Sequence, residues 1–260
     1  MNNLPKNVKP DLNRVINFNQ KTSWGIKDYP RFMELMSEVV QLVEPGFYFS
    51  DNLFTWCRNN SLFDDAAFQK AWSENNKNSN DVAIAWRRYV LACAGYHCVQ
   101  LPGDFVECGV YWGTGIKTVV DYLGGTGFSK TFWGYDTFDY HPVEGEANFD
   151  QQEGFFEQVQ QRFSAYEQVK LVKGLLPESF ATHCPKEIAF LHIDLNSAEY
   201  EVAALDALFD LVVPGGIIIL DDYEWASHYR MQKIAEDEWF DKRNYRVMPL
   251  PTGQGLVLKR

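Results

Sequence analysis

The sequence predicts an α/β protein: a doubly wound, mostly parallel sheet with a helical extension at its N-terminal end. Three observations carry this. From Gly103 onward, short apolar runs alternate with helical periodicities. Three of those runs close on acids: 131–135 on Asp136, 188–193 on Asp194, and 217–220 on Asp221 and Asp222. Strand-helix-strand crossovers are right-handed, so the strands they join run the same way and their carboxyl ends share one edge of the sheet.

Residues 1–30 are polar, with Asn, Lys and Pro spread through them, and read as an extended arm. Over 31–43, Phe32, Leu35, Met36, Val39 and Val43 recur at helical spacing until Pro45-Gly46 stops the helix. The aromatic run Phe47-Tyr48-Phe49 precedes Ser50, a candidate helix cap, and short helices are expected over 53–57 and 66–72. After the polar stretch 74–80, Asp81 reads as the cap of a longer helix over 82–99, with Trp86, Tyr89 and Tyr96 as core aromatics. Residues 1–102 are therefore expected to form an arm and helical cap, and 103–260 the main domain.

In the main domain the expected order begins with a strand over 105–108, a helix over 114–123 ended by Gly124-Gly125, and a strand over 131–135. A long loop over 137–150, a helix over 152–166 and a strand over 169–173 closing on Gly174 follow. The centre is a strand over 188–193, a helix over 198–212, a Pro-Gly-Gly turn and a strand over 217–220. These central strands are nearly continuous apolar runs, as a parallel sheet covered on both faces requires. A helix over 226–240 and strands over 245–250 and 255–259 complete the chain. Thr252-Gly253 lies in a tight connection, so the last pair is expected to be antiparallel.

The chain has 260 residues, and its 46% hydrophobic content is enough for a substantial core. A net charge of -11 argues against nucleic acid as a partner, because phosphate binding needs a basic face. Cys57, Cys93, Cys98, Cys108 and Cys184 show no CxxC spacing, so neither a zinc site nor a disulfide framework is expected. No apolar run has signal or transmembrane character, and the expectation is a soluble, cytoplasmic protein without a membrane partner.

Glu107-Cys108-Gly109-Val110-Tyr111-Trp112-Gly113-Thr114-Gly115 joins the first main-domain strand to its helix. The spacing is neither the GxGxxG of dinucleotide sites nor a P-loop, and nothing in it calls for a phosphate. Asp136, ending the second strand, is placed to accept from the ribose hydroxyls of a nucleoside. Glu107 adds negative charge. A nucleoside with a cationic appendage and no phosphate fits: S-adenosylmethionine (SAM). Expected to line the cofactor are Glu107, Gly109, Tyr111, Gly113, Thr114, Asp136, Thr137, Phe138, Gly174 and Asp194. Asp194, Asp221 and Asp222 converge on the same edge and would repel one another unless neutralised. A hard divalent cation such as Mg²⁺ does that with oxygen ligands. His192, inside a strand, reads as a packed residue, and His228 as a surface one.

The stretches GDFVECGVYWGTG (103–115), FWGYDTFD (132–139), KLVKGLLPES (170–179), the central 188–223 segment through DDY, and Arg230 resemble the class I SAM-dependent methyltransferases. More closely, they resemble the macrocin O-methyltransferase family, over about half of the chain. The resemblance implies a Rossmann-like seven-stranded sheet with an antiparallel last strand. It implies that Glu107, Gly109 and Gly113 line the methionine part of SAM and Asp136 the ribose. It also implies Asp194, Asp221 and Asp222 as Mg²⁺ ligands, Asp194 as the catalytic base, a small-molecule hydroxylated acceptor, and self-association. The family's DxDLY is Asp194-Leu195-Asn196-Ser197-Ala198 in this chain, which bears on the acceptor more than on the metal. A metal-independent methyltransferase and a non-catalytic SAM-binding protein stand as alternatives, separated by EDTA and by turnover.

Overall fold

The computed structural model describes residues 18–76, 78–138 and 154–260. The chain divides into two compact units, Met1–Val90 and Leu91–Arg260. In the first, α1 (Tyr29–Val40) is capped by Asp28, whose carboxylate accepts from Arg31 N at 3.1 Å. Strands β1 (Tyr48–Ser50) and β2 (Leu53–Thr55) form a hairpin across Asp51 and Asn52, both with positive φ (54° and 55°). A two-residue hairpin loop of that hand matches the twist of its strands, so 53–57 holds a strand where a helix was expected. Ser50 accordingly caps no helix; its hydroxyl donates to Ala83 O at 2.8 Å. Helix α2 (Ala66–Asn75) follows, then α3 (Ser79–Ala83) and α4 (Ala85–Cys98), whose residues from Leu91 onward belong to the second unit. The helix expected over 82–99 is thus broken at Ile84, and its cap is Asn78, which accepts from Asp81 N at 2.9 Å. Phe49 packs against Phe18, Phe32 and Phe54 within this unit.

The second unit holds β3 (Asp104–Cys108), α5 (Thr114–Tyr122), β4 (Phe132–Asp136), α6 (Phe155–Arg162) and β5 (Val169–Lys173). It continues through β6 (Ile188–Ile193), α7 (Ala198–Leu208), β7 (Val212–Leu220), α8 (Arg230–Asp241), β8 (Met248–Pro249) and β9 (Gly255–Leu258). These strands form one 7-stranded sheet in the order β5-β4-β3-β6-β7-β9-β8. The five strands from β5 to β7 are parallel, and β9 is antiparallel to both β7 and β8. The chain steps outward from β3 to β5, then returns to place β6 on the other side of β3. The topological switch therefore lies between β3 and β6, where open α/β sheets leave a crevice.

Side chains alternate across the sheet. Val106, Leu191, Ile193, Ile218 and Leu220 join Leu205 and Leu208 of α7 and Trp239 and Phe240 of α8 in one buried cluster. On the opposite face the rings of Phe105, Phe132 and Phe190 meet, with centroids 5.3 to 6.4 Å apart.

Several expected boundaries move. Pro214-Gly215-Gly216 is not a turn before the strand but a bulge within β7: Ile188 faces Val212 and Phe190 faces Ile217. The preceding helix ends at Leu208 and one tight turn, Phe209–Leu211, links it to the strand. The expected strand over 245–250 shortens to Met248–Pro249. Residues 1–17 of the arm and 139–153 of the expected loop and helix start lie outside the described residues. No described helix is long and apolar enough to cross a membrane.

Candidate active site

The glycine loop sits at the carboxyl end of β3. Gly109 has φ 90°, and a Cβ there would lie 1.8 Å from the carbonyl oxygen of Asp194. Only glycine lets the ends of β3 and β6 close this tightly. Gly109 N donates to Tyr135 O and Asp194 N to Cys108 O, each at 2.8 Å. Gly113, at φ 74°, leaves its Cβ direction to the ring of Phe163, 2.5 Å away. The Thr114 hydroxyl, at the start of α5, accepts from Arg162 Nη1 at 3.3 Å, and the same nitrogen donates to Trp112 O at 2.8 Å.

Asp136 buckles this loop to the next strand. Its Oδ2 accepts from Val110 N and Tyr111 N at 2.8 and 2.7 Å, and its Oδ1 from Phe138 N at 2.8 Å. The Thr137 hydroxyl lies 3.5 Å from the same Oδ1. Tyr111 and Phe138 take positive φ (48° and 50°), turning the chain so that these amides converge. Gly174 N donates to Asp136 O at 3.0 Å, bringing the end of β5 alongside. The expected cofactor-lining residues of β3, β4 and β5 therefore share one edge. Asp136, expected to serve a ribose, is also the brace of the glycine loop.

The acidic side of the switch point is built by β3, β6 and β7. Glu107 faces His192 in register, and His192 faces Ile219, one residue before Leu220 and two before Asp221. Buried Glu107 and His192 pair through Oε2 and Nδ1 at 2.8 Å, and His192 Nε2 lies 3.3 Å from Asp221 Oδ1. Ligand atoms of His192, Asp194 and Asp221 all lie within 4.8 Å of one another. The sequence reading joined Asp222 to Asp194 and Asp221; the structure adds His192 to those two. Asp222 is buried next to Asp221, and its charge is felt by Glu236 on α8. His192 lies in β6 two residues before Asp194, which follows the strand directly, and this alternate spacing is the signal that could have found His192. Gln254 had no such signal: its Nε2 donates to Asp221 Oδ1 at 2.7 Å from 33 residues away.

This donor set fits a divalent ion. Two carboxylates and one imidazole converge, and Glu107 on Nδ1 fixes Nε2 as the nitrogen facing the acids, the carboxylate-histidine support common behind metal ligands. Burial alone would lower the His192 pKa, but hydrogen bonds and charge from Asp221 and Glu107 outweigh it and hold it at about 10.

A seven-stranded sheet with one reversed strand, a glycine loop at its switch point and acids along the same rim defines the Rossmann-like methyltransferase class. The macrocin O-methyltransferase (TylF) family model matches residues 92–244. The chain belongs to that family, and with it to the SAM-dependent O-methyltransferases. It is 28% identical over 178 residues to the mycinamicin III 3''-O-methyltransferase of Micromonospora griseorubida, covering 55% of this chain and 68% of that protein. It is also 28% identical over 152 residues to the 8-demethyl-8-(2,3-dimethoxy-alpha-L-rhamnosyl)-tetracenomycin-C 4'-O-methyltransferase of Streptomyces olivaceus. That match covers 49% of this chain and 58% of the relative, less than two thirds of its length. Among solved structures, the calicheamicin methyltransferase CalS11 superposes with a TM-score of 0.60 at 16% identity, covering 90% of this chain and 94% of that one. The O-methyltransferase NovP gives 0.57 at 22% identity, over 68% of this chain and 81% of that one. Both show the fold.

Proposed function

We propose that this chain transfers the methyl group of SAM to a hydroxyl of a sugar on a natural product, with a divalent ion, Mg²⁺ in the simplest case, at the acidic rim. The observation that carries it is the meeting of Gly109 and Asp194 at the switch point, which sets a cofactor loop beside a metal-type donor cluster. The names of the two sequence relatives support a sugar hydroxyl as acceptor.

SAM supplies an electrophilic methyl on a cationic sulfur. A divalent ion supplies a Lewis acid that lowers the pKa of a hydroxyl and fixes its direction. The chain's own residues do the rest. The loop 109–114, braced by Asp136, orients the nucleoside. Asp194, Asp221 and His192 would hold the ion, with Glu107 on Nδ1 leaving Nε2 as the nitrogen turned to the acids. Asp222 backs them. Asp194, the partly exposed member of the cluster, meets the acceptor and takes its proton. Displacement at the methyl carbon is in line, so holding hydroxyl, methyl and sulfur on one axis is the larger part of the work.

The test is transfer of labelled methyl from SAM to a panel of sugar-bearing acceptors, with Mg²⁺ and with EDTA. Activity should require the metal. Asp221→Asn should lower turnover by at least ~100-fold while SAM binding survives. Full activity in EDTA would favour a second reading, metal-independent transfer, for which the pairing of His192 with both Glu107 and Asp221 is the supporting observation.

A further inference from the structure

Gln254 is fully buried and lies in the connection between β8 and β9. Its side-chain amide is committed at both ends. Nε2 donates to Asp221 Oδ1 at 2.7 Å, and Oε1 accepts from the Thr252 hydroxyl at 3.0 Å. The opposite amide orientation would set oxygen against a carboxylate, so the network fixes which end faces Asp221. The backbone around it is seated just as firmly. Leu250 N donates to Gln254 O and Glu224 N to Gly253 O, each at 2.8 Å. A Cβ on Gly253 would lie 2.5 Å from the Trp225 indole nitrogen, and one on Gly255 2.8 Å from Tyr223 Cγ. The hairpin tip is thus moulded onto the segment that follows Asp222. Register agrees, since Leu220 faces Gly255.

From this geometry we propose that Gln254 is a positioning residue for the acidic rim. It donates to the same Asp221 oxygen that His192 Nε2 approaches, so the carboxylate is oriented from two sides. The last hairpin, outside both the glycine loop and the parallel strands, thereby sets the geometry of a metal-type ligand. The consequence for turnover rests on the reaction proposed above; the placement of Asp221 does not.

Gln254→Met keeps the volume and removes the donor; Gln254→Asn keeps a donor on a shorter arm and serves if the first variant folds poorly. Mn²⁺ binding by isothermal titration should weaken ~10-fold in Gln254→Met and less in Gln254→Asn. SAM affinity should stay within about twofold, as expected of a group that touches only the metal ligand. A crystal structure of Gln254→Met should show the Asp221 carboxylate turned from its present direction. An unmoved Asp221, or a lowered melting temperature with Mn²⁺ affinity and turnover both retained, overturns the assignment and leaves Gln254 a packing residue. If the wild-type protein binds no Mn²⁺, the metal in the proposed reaction fails instead. Gln254 is then judged by the position of Asp221 and by kcat at saturating SAM: a turned carboxylate with ~10-fold lower kcat supports it, and no change in either refutes it.

Discussion

Gly109 and Asp194 make contact through backbone alone, and that contact ties the cofactor loop to the acidic rim. Gly109→Ala would drive a methyl carbon to 1.8 Å from a carbonyl oxygen at a positive φ. It should cost roughly 2–4 kcal/mol by urea denaturation; wild-type stability in this variant would mean that the strand ends need not touch. A glycine loop and strand-end acids are legible in sequence because each has a local pattern. His192 was harder to assign, since a histidine in an apolar strand looks like any packed residue until its neighbours are known. Its roles come from Glu107 and Asp221, 85 and 29 residues away.

Loops and helices carry their own predictions. Asp136 holds the amides of Val110 and Tyr111 through charge-assisted bonds. Asp136→Ala should speed hydrogen exchange at those two amides by ~10–100-fold while the sheet amides keep their protection. Unchanged protection would show that the loop is held by its glycines alone. Between α7 and α8, Glu201 and Glu236 are buried beside each other. Glu201 is raised by burial and by the charge of Glu236; Glu236 is raised by burial, to about 7. A carboxyl whose folded pKa is raised stabilises fully below its unfolded pKa, and that contribution is lost as pH rises through the folded value. Glu236→Gln should therefore add roughly 1–3 kcal/mol at pH 8 and much less at pH 5, read from denaturation at both pH values. A gain equal at both would show that Glu236 does not titrate in this window. At this scale the sequence was readable where elements are long and regular. The parallel strands are buried on both faces and so are continuously apolar. It misled where a short turn decided: Asp51 and Asn52 made a hairpin of an expected helix, and Ile84 split a helix whose periodicity runs straight through it.

For the whole molecule, strand order matters most. Alternating periodicities and the tight Thr252-Gly253 connection were sufficient for a doubly wound sheet with an antiparallel close, while the seven-strand count came from the family resemblance. What no local pattern carries is how the last hairpin returns to the rim. Gln254 reaches Asp221 only because β9 lies antiparallel beside β7. The central claim is that one crevice at the β3/β6 switch holds a sulfonium nucleoside next to a divalent ion. The most direct measurement is a crystal structure with S-adenosylhomocysteine and Mn²⁺, the ion located by anomalous scattering. The account predicts ribose hydroxyls at Asp136, the amino-acid part over Gly109, and a single Mn²⁺ peak bound by Asp194 and Asp221. A nucleoside elsewhere, or Mn²⁺ at neither carboxylate, would contradict it.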